Sequence, residues 1–329
     1  MKRYLKLKLI ISLAFSFLWF GVSYWIAIPW ISEVSSHFGD FLAYFFIIGV
    51  ALLPAIAISF VYMSIMLDKR VVVKKISKPI TILIAAYNEE DTILHTLESI
   101  ETQEFDDEIE VIVCNDGSID LTSNIVENFI NRKNLRFDYR LINLDKNRGK
   151  SFALNEGLKQ SKFERIVTID ADSVLYKNAL LSIVSTLESG DFVSVAGTVL
   201  VKNSKVNLLT RIQNWDYLLG ISSVKRAQSA YEGTLVAQGA FSIYYKKQLL
   251  ETGGWSDKVG EDIVLTWELL NKGYKIYHDT NAIVFTSVPI TYKSYFKQRK
   301  RWSRGMIEAF KTSPSLLFKF RKTFTIHLV

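Results

Sequence analysis

The sequence predicts an α/β domain with a largely parallel sheet, preceded by two transmembrane helices and followed by an amphipathic helix. Three observations carry this. Two long apolar runs without a charged residue open the chain. From Pro79 onward, apolar runs of strand length alternate with stretches of helical period. Near the C-terminal end comes KQRKRWSRG (297–305), basic, with a tryptophan at its centre.

The apolar runs are Leu9 to Ile28 and Phe41 to Met66. At about 1.5 Å per residue, either helix covers a hydrocarbon core of about 30 Å. The first is too long for the apolar part of a signal peptide, and no small-x-small cleavage site follows it. Lys2, Arg3, Lys6 and Lys8 precede the pair, and Lys69, Arg70, Lys74 and Lys75 follow it. The linker between holds Glu33 and Asp40 but no lysine or arginine. That asymmetry places both ends in the cytoplasm. The expected organisation is a two-span anchor over 1–70, a cytosolic domain over 71–289 and an interfacial segment over 290–329.

Composition narrows the chemistry. The 329 residues carry a net charge of +7, enough chain for one large domain or two. Cys114 is the only cysteine, so no intramolecular disulfide forms, as suits a reducing compartment. The four histidines are scattered and form no HExxH, which argues against zinc hydrolysis.

Within the cytosolic domain the strand-like runs are ITILIAAY (80–87), EVIVCN (110–115), RIVTID (165–170) and FVSVAGTVLV (192–201). Helical periods fill 91–103, 119–131, 150–160 and 177–188. Buried strands alternating with helices indicate a sheet covered on both faces, with ligands at the carboxyl ends of its strands. The first run leads into Tyr87-Asn88-Glu89-Glu90, the second into Asn115-Asp116-Gly117-Ser118, and RIVTID into Asp170-Ala171-Asp172. No GxGxxG or GxxxxGK[ST] follows a strand, which argues against a dinucleotide fold and a P-loop.

Each stretch has a plainer reading beside the functional one. NDGS is an ordinary turn sequence. Asp170 and Asp172 can share one face, where they repel unless a proton or a cation intervenes. Oxygen ligands suit Mg²⁺ or Mn²⁺, and such an ion suits a diphosphate. An exposed turn would show the same pair. Lys146 to Lys150 opens the helix SFALNEGLKQ, where cations oppose the dipole unless an anion binds there. A solvated basic turn reads the same way. Glu261 and Asp262 precede IVLTWELLNKG, and acids stabilise a first helical turn. The functional reading makes Asp262 a general base.

In this order the pieces resemble the inverting family-2 glycosyltransferases of GT-A fold, in the membrane-bound branch of cellulose, chitin, hyaluronan and poly-N-acetylglucosamine synthases. The likeness runs from about Pro79 to Phe310. It implies nucleotide contacts for Tyr87, Glu89, Asp116, Lys150 and Asp170, and a divalent metal, Mg²⁺ or Mn²⁺, on Asp170 and Asp172. It implies Asp262 as the base of a Glu-Asp motif that includes Glu261. Gly239 would lie in an acceptor loop, and Gln298, Arg301 and Trp302 form the QxxRW signature of processive members. NWDYLLGISSVKRAQS (214–229) and QGAFSIYYK (238–246) look closest to poly-N-acetylglucosamine synthases.

The implied activity is transfer of a sugar, N-acetylglucosamine by this likeness, from a UDP-sugar to a growing β-linked glycan at the inner (cytoplasmic) membrane. The implied partners are the UDP-sugar donor, a glycan acceptor and the lipid bilayer, with no nucleic acid. Relatives of this branch usually continue into further membrane helices, which here would come from a longer chain or another membrane subunit. A single transfer to a polyprenyl phosphate or other lipid is the alternative. A basic, non-enzymatic membrane module would explain the charge but not carboxylates gathered at several strand ends.

Placed on an ideal helix at about 100° per residue, Thr291 to Lys311 gathers Tyr295, Trp302, Met306 and Phe310 on one side. Lys293, Lys297, Lys300, Arg304 and Lys311 gather opposite, with Arg299 and Arg301 flanking the aromatic stripe. An amphipathic membrane-surface helix would show that much. Gln298 and the two arginines beside the stripe point to a second role, closing a sugar site.

Overall fold

The computed structural model describes residues 2–68 and 71–318, in two compact units divided at Arg70. In the first unit, helices Lys2–Phe38 and Asp40–Met66 are each long and apolar enough to cross a membrane. They fold back on one another: the Tyr4 hydroxyl donates to the Leu67 carbonyl, and Lys8 Nζ lies 3.3 Å from Asp68 Oδ1. The outer ends of the two helices therefore lie together. The linker expected from the sequence is itself helical through Phe38, leaving Gly39, at φ +84°, to make the reversal. Large apolar side chains such as Trp25 (72% exposed) and Phe41 (79%) point outward, as lipid-facing surfaces require.

The second unit is built on an eight-stranded sheet. Its strands are β1 (Ile80–Ala86), β2 (Ile109–Asn115), β3 (Asp138–Asn143), β4 (Arg165–Ile169), β5 (Val174–Leu175), β6 (Ser194–Val201), β7 (Phe241–Tyr245) and β8 (Ile276–Thr286). They lie in the order β3-β2-β1-β4-β7-β6-β8-β5. The first four are mutually parallel; β1, β2 and β4 are expected runs, β3 is not, and the fourth expected run, FVSVAGTVLV, is β6, which lies beyond β7. β7 then runs antiparallel to both β4 and β6, β6 and β8 are parallel, and β5 is antiparallel to β8.

The four expected helices form as Ile93–Glu101, Thr122–Ile130, Lys150–Gln160 and Ala179–Ser189. Alternation along β1 and β2 separates two cores. Ile82, Ile84, Val111 and Val113 pack with Leu97 and Val126, while Leu83, Ile112 and Cys114 pack with Leu154 and Leu158. Cys114 takes the plain role of a small buried apolar residue, and burial pushes its thiol up to about 12. A side chain at Gly157 would meet Cys114 Sγ at 2.9 Å, so the glycine allows the Lys150–Gln160 helix to lie close on the sheet.

At the C-terminal end the helix Tyr292–Thr312 matches the expected bounds, with the Thr291 side chain accepting from the Ser294 N–H. Gly305 and Ala309 are buried on it. A Cβ on Gly305 would stand 3.0 Å from the Gly260 Cα and 3.2 Å from Ile263 Cδ1. Gly260, at φ +75°, would in turn drive a Cβ to 2.6 Å from the Gly305 Cα. Two glycines thus let the basic helix cross directly over the loop that starts the Glu261–Asn271 helix. Phe310 seals the crossing against Trp267, ring centroids 4.7 Å apart and nearly perpendicular.

This close approach fixes the sign of one substitution. In a free helix interior, Gly→Ala stabilises by about 1 kcal/mol. At Gly305 the added methyl meets backbone, so we expect Gly305→Ala to lower the thermal midpoint. A raised midpoint in thermal unfolding would show that the crossing yields.

Candidate active site

The carboxyl ends of β1 and β2 form one laced rim. The Asn88 N–H donates to Ser118 Oγ (3.0 Å), and the Ile119 N–H donates to Asn88 Oδ1 (3.0 Å). The Glu89 N–H donates to Thr122 Oγ1 (2.8 Å), and the Leu121 N–H to Glu90 Oε2 (2.9 Å). Asn88 adopts a left-handed φ of +54°, which an asparagine tolerates. Tyr87 stands exposed on this rim, and Glu89 sits half-buried below it.

Asp116 is 2% exposed and accepts from the Arg148 and Gly149 N–H groups at 2.9 and 2.7 Å. Its carboxylate thereby shapes the loop that delivers Lys150. Gly117, at φ +70°, has no room for a side chain: a Cβ there would meet the Lys146 carbonyl carbon at 2.6 Å. The turn reading and the site reading of NDGS are therefore both true. The stretch is a tight turn, and that turn builds the wall.

Lys150 opens its helix with Nζ hydrogen-bonded to Asp170 Oδ1 and 3.8 Å from Glu261 Oε1. Burial opposes its charge, but Asp170, Glu261 and Asp262 outweigh it and hold the ammonium well above the usual lysine range. Asp172 lies beside the Thr286 hydroxyl, 3.4 Å from either carboxylate oxygen, and beside Ser173. Burial, then Asp170 and Glu89, push Asp172 up to about 6. Glu89 is raised too, by burial first and then by Asp170 and Asp120 against the Thr92 hydrogen bond. The aspartate pair is thus half-buried among like charges, and the exposed-turn reading does not hold.

Glu261 and Asp262 start their helix on the same side. Asp262 Oδ2 accepts the Gly239 N–H (3.1 Å) and Oδ1 the Ile263 N–H (2.8 Å). Burial, then Asp262, raise Glu261 while Lys150 opposes. Gly239 passes so close to Lys150 that a Cβ would stand 2.6 Å from Nζ. Gln238 anchors this loop by donating to the Gly197 carbonyl at 2.6 Å.

The QRKRW helix meets the site through Trp302. Its ring lies 6.3 Å from that of Tyr217, in the π-helical segment Asp216–Ser223. Burial pushes the Tyr217 phenol up to about 12; Arg299 opposes this, while Asp216, Asp172 and Asp170 add to it. Tyr217 therefore contacts Trp302 and feels the charge of the aspartate pair. Gln298 is half-buried with its Oε1 unpartnered, and Arg301 is exposed. Arg299, not Arg301, packs against the tryptophan. The sequence reading also missed Asp216, Tyr217, Thr286 and Lys225. Lys225 is buried and carried down to about 7 by desolvation, against the pull of Asp262. In the sequence it stands among Ser222, Ser223, Arg226 and Gln228, a context that gives no signal of burial.

Could the aspartate pair hold a divalent ion? Among the described residues no three ligand-type side chains converge as a protein-only cage. Two neighbouring carboxylates, with Asp170 raising the proton affinity of Asp172, are nevertheless the donor set Mg²⁺ or Mn²⁺ uses when phosphate oxygens and water complete the shell. The residues fit such an ion.

Comparison with known proteins bears on the family and the fold. The model of the glycosyl transferase family 2 matches residues 81–252. The chain is 35% identical over 228 residues to a poly-beta-1,6-N-acetyl-D-glucosamine synthase of Staphylococcus epidermidis, covering 69% of this chain and 54% of that protein. The enzyme of the same description from Staphylococcus aureus is 32% identical over the same shares. The chain spans about half the length of the curated relatives it matches. A mannosyltransferase from Pyrobaculum calidifontis, solved with GDP-Man and Mn²⁺, shares the fold at a TM-score of 0.63 and 21% identity, over 78% of this chain and 70% of that one. With its curled α/β sheet and this match over more than half its length, the chain belongs to glycosyltransferase family 2 and has the GT-A fold.

Proposed function

We propose that this chain is a processive inverting glycosyltransferase that moves N-acetylglucosamine from UDP-N-acetylglucosamine to a growing β-linked glycan at the cytoplasmic membrane. One observation carries the reading. The Gly239 loop joins the Asp262 carboxylate, through its N–H, to the Lys150–Asp170 pair, against which it packs. A base, a cation and a metal-type carboxylate are thereby gathered around one small loop. The relatives named above supply the sugar and the glycan.

In this reading Tyr87 and Glu89 line the uridine side, behind a wall shaped by Asp116. Asp170 and Asp172 hold the divalent ion, which when bound offsets charge on the donor diphosphate. Lys150 adds a second positive charge beside that diphosphate. Asp262 accepts the proton from the acceptor hydroxyl as its oxygen attacks the anomeric carbon opposite UDP. The Gly239 N–H holds Asp262 Oδ2 in place. Trp302 offers a flat ring to the acceptor sugar, Gln298 hydrogen-bonds it, and Arg301 reaches toward the diphosphate.

Membrane attachment follows from the first unit. Lys8 and Asp68 meet at the end of the hairpin flanked by the basic residues, and the excess of cations there supports a cytosolic placement of that end. A cysteine placed at Ser35, with Cys114 replaced, should then react with an impermeant thiol reagent added outside intact cells. Protection at Ser35 would reverse the topology. On the second unit, Phe296 (71% exposed) and Ile307 project from the basic helix beside Lys293, Lys297, Lys300 and Arg304. Leu208, Ile212, Trp215 and Leu219 project from the neighbouring segment. Apolar side chains rimmed by cations suit the surface of an anionic bilayer.

Incubation of membranes with labelled UDP-sugars tests the proposal. A polymer of N-acetylglucosamine is expected, and one sugar on a lipid would replace this reading by single transfer. EDTA should abolish transfer, and Mg²⁺ or Mn²⁺ should restore it. The ion needs Asp172 ionised, and Asp172 titrates near 6 without it. Metal activation should therefore weaken as pH falls through 6 and saturate above it. Asp262→Asn should keep UDP binding and lose roughly 10² to 10⁴ in turnover. Near-normal turnover would return Asp262 to the stabilisation of its helix start.

A further inference from the structure

We propose that the Asp216–Arg299 ion pair is a positioning device for Trp302, clamping its ring at the acceptor side of the site and acting on the reaction only through that ring. The proposal rests on the functional reading above and concerns Asp216, outside the QxxRW signature, and Arg299, at one of the signature's unspecified positions.

Arg299 Nη2 donates to Asp216 Oδ2 at 2.6 Å. Its guanidinium carbon lies 4.3 Å from the Trp302 ring centroid and 5.0 Å from that of Tyr295. Tyr295 and Trp302 are i−4 and i+3 to Arg299, so the guanidinium is flanked by one ring in the preceding helical turn and one in the next. Without a tether, an arginine there would be free to swing out among the exposed cations Lys293, Lys297 and Lys300. Asp216 supplies the tether from another element.

That carboxylate is itself placed. A Cβ at Gly220 would stand 2.8 Å from Asp216 Oδ1, so the glycine makes room for it in the π-helical turn. The next residue, Tyr217, packs its ring on Trp302. The dipeptide Asp216-Tyr217 thus constrains the tryptophan twice, once by contact and once through Arg299. Arg299 is 25% exposed, yet its Nε is buried and unpartnered, a cost set against the ion pair. Lysine cannot replace this group, because only the planar guanidinium both stacks on the ring and donates sideways to the carboxylate.

The test uses the full chain in detergent micelles with 5-fluorotryptophan incorporated. The ¹⁹F resonance of Trp302 is identified by its loss in Trp302→Phe. Asp216→Asn and Arg299→Lys should each shift or broaden that resonance while UDP affinity, by calorimetry, stays unchanged. KM for an N-acetylglucosamine oligosaccharide acceptor should rise about tenfold with kcat little altered. The double variant should be no worse than the worse single variant, since both break one contact. Asp216→Asn is isosteric and keeps a hydrogen-bond acceptor, so it guards against a trivial folding defect. An unchanged Trp302 resonance in both variants overturns the proposal, and so does UDP affinity that falls in step with acceptor KM. A resonance that moves while acceptor KM stays constant keeps the clamp and removes Trp302 from the acceptor site.

Discussion

Everything in the catalytic unit is arranged around a repulsion. Glu89, Asp170, Asp172, Glu261 and Asp262 all act at one edge of the sheet, and burial strengthens their mutual effect. Lys150 answers Asp170 and Glu261 directly. Its helix, the Gly239 loop and the Asp116 turn exist in the form they do because that one ammonium must be delivered among those carboxylates. Asp116 pins the loop before it, Gly157 lets its helix lie close on the sheet, and Gly239 leaves room for Nζ. A single cation does not neutralise five acids. In the proposed reading, the remaining negative charge is the physical reason such a site would favour a divalent ion together with a phosphate-bearing donor.

The parallel half of the sheet was legible because buried strands read as unbroken apolar runs, and ITILIAAY, EVIVCN and RIVTID are such runs. DYRLIN was not, because β3 is an edge strand with only Tyr139 fully buried. β8 was hidden by the polar His278-Asp279-Thr280-Asn281 within it. There Asp279 serves the Ser182 and Thr186 hydroxyls rather than solvent. The reversed β7 lay within a stretch, QGAFSIYYK, whose likeness drew attention to its loop instead of its strand. Strand direction is a tertiary property, and no local pattern encodes it.

The site divides in the same way. Residues that terminate strands, Tyr87, Glu89, Asp116, Asp170 and Asp172, could be found because a parallel sheet sends its carboxyl ends to one edge. Lys150 and Asp262 could be found because each violates or decorates a helix start. Asp216 and Arg299 could not. Each looks like an ordinary surface charge in its own helix, and their pairing spans 83 residues. Helical geometry did show that Arg299 flanks the aromatic stripe, but one flank and the other differ only in what the rest of the fold packs there. The fold packs Asp216 beside Arg299 and leaves Arg301 exposed.

The two sides of the site consequently differ in how firmly they are built. On the proposed donor side, the loops after β1 and β2 are tied by hydrogen bonds from backbone N–H groups to side-chain oxygens, and Asp116 and Asp262 are both held by N–H donors. On the proposed acceptor side, one helix rests on a Gly260–Gly305 contact, a tilted ring contact and an edge-to-face one. Such ring contacts and a partly exposed ion pair rearrange at lower cost than a buried hydrogen-bond network. The processive transfer proposed above would need that asymmetry. The nucleotide must be recognised identically in every cycle, whereas the terminal sugar must be gripped for transfer and then released so the chain can advance by one unit. Rigid donor walls beside an adjustable aromatic floor meet both demands within one GT-A domain.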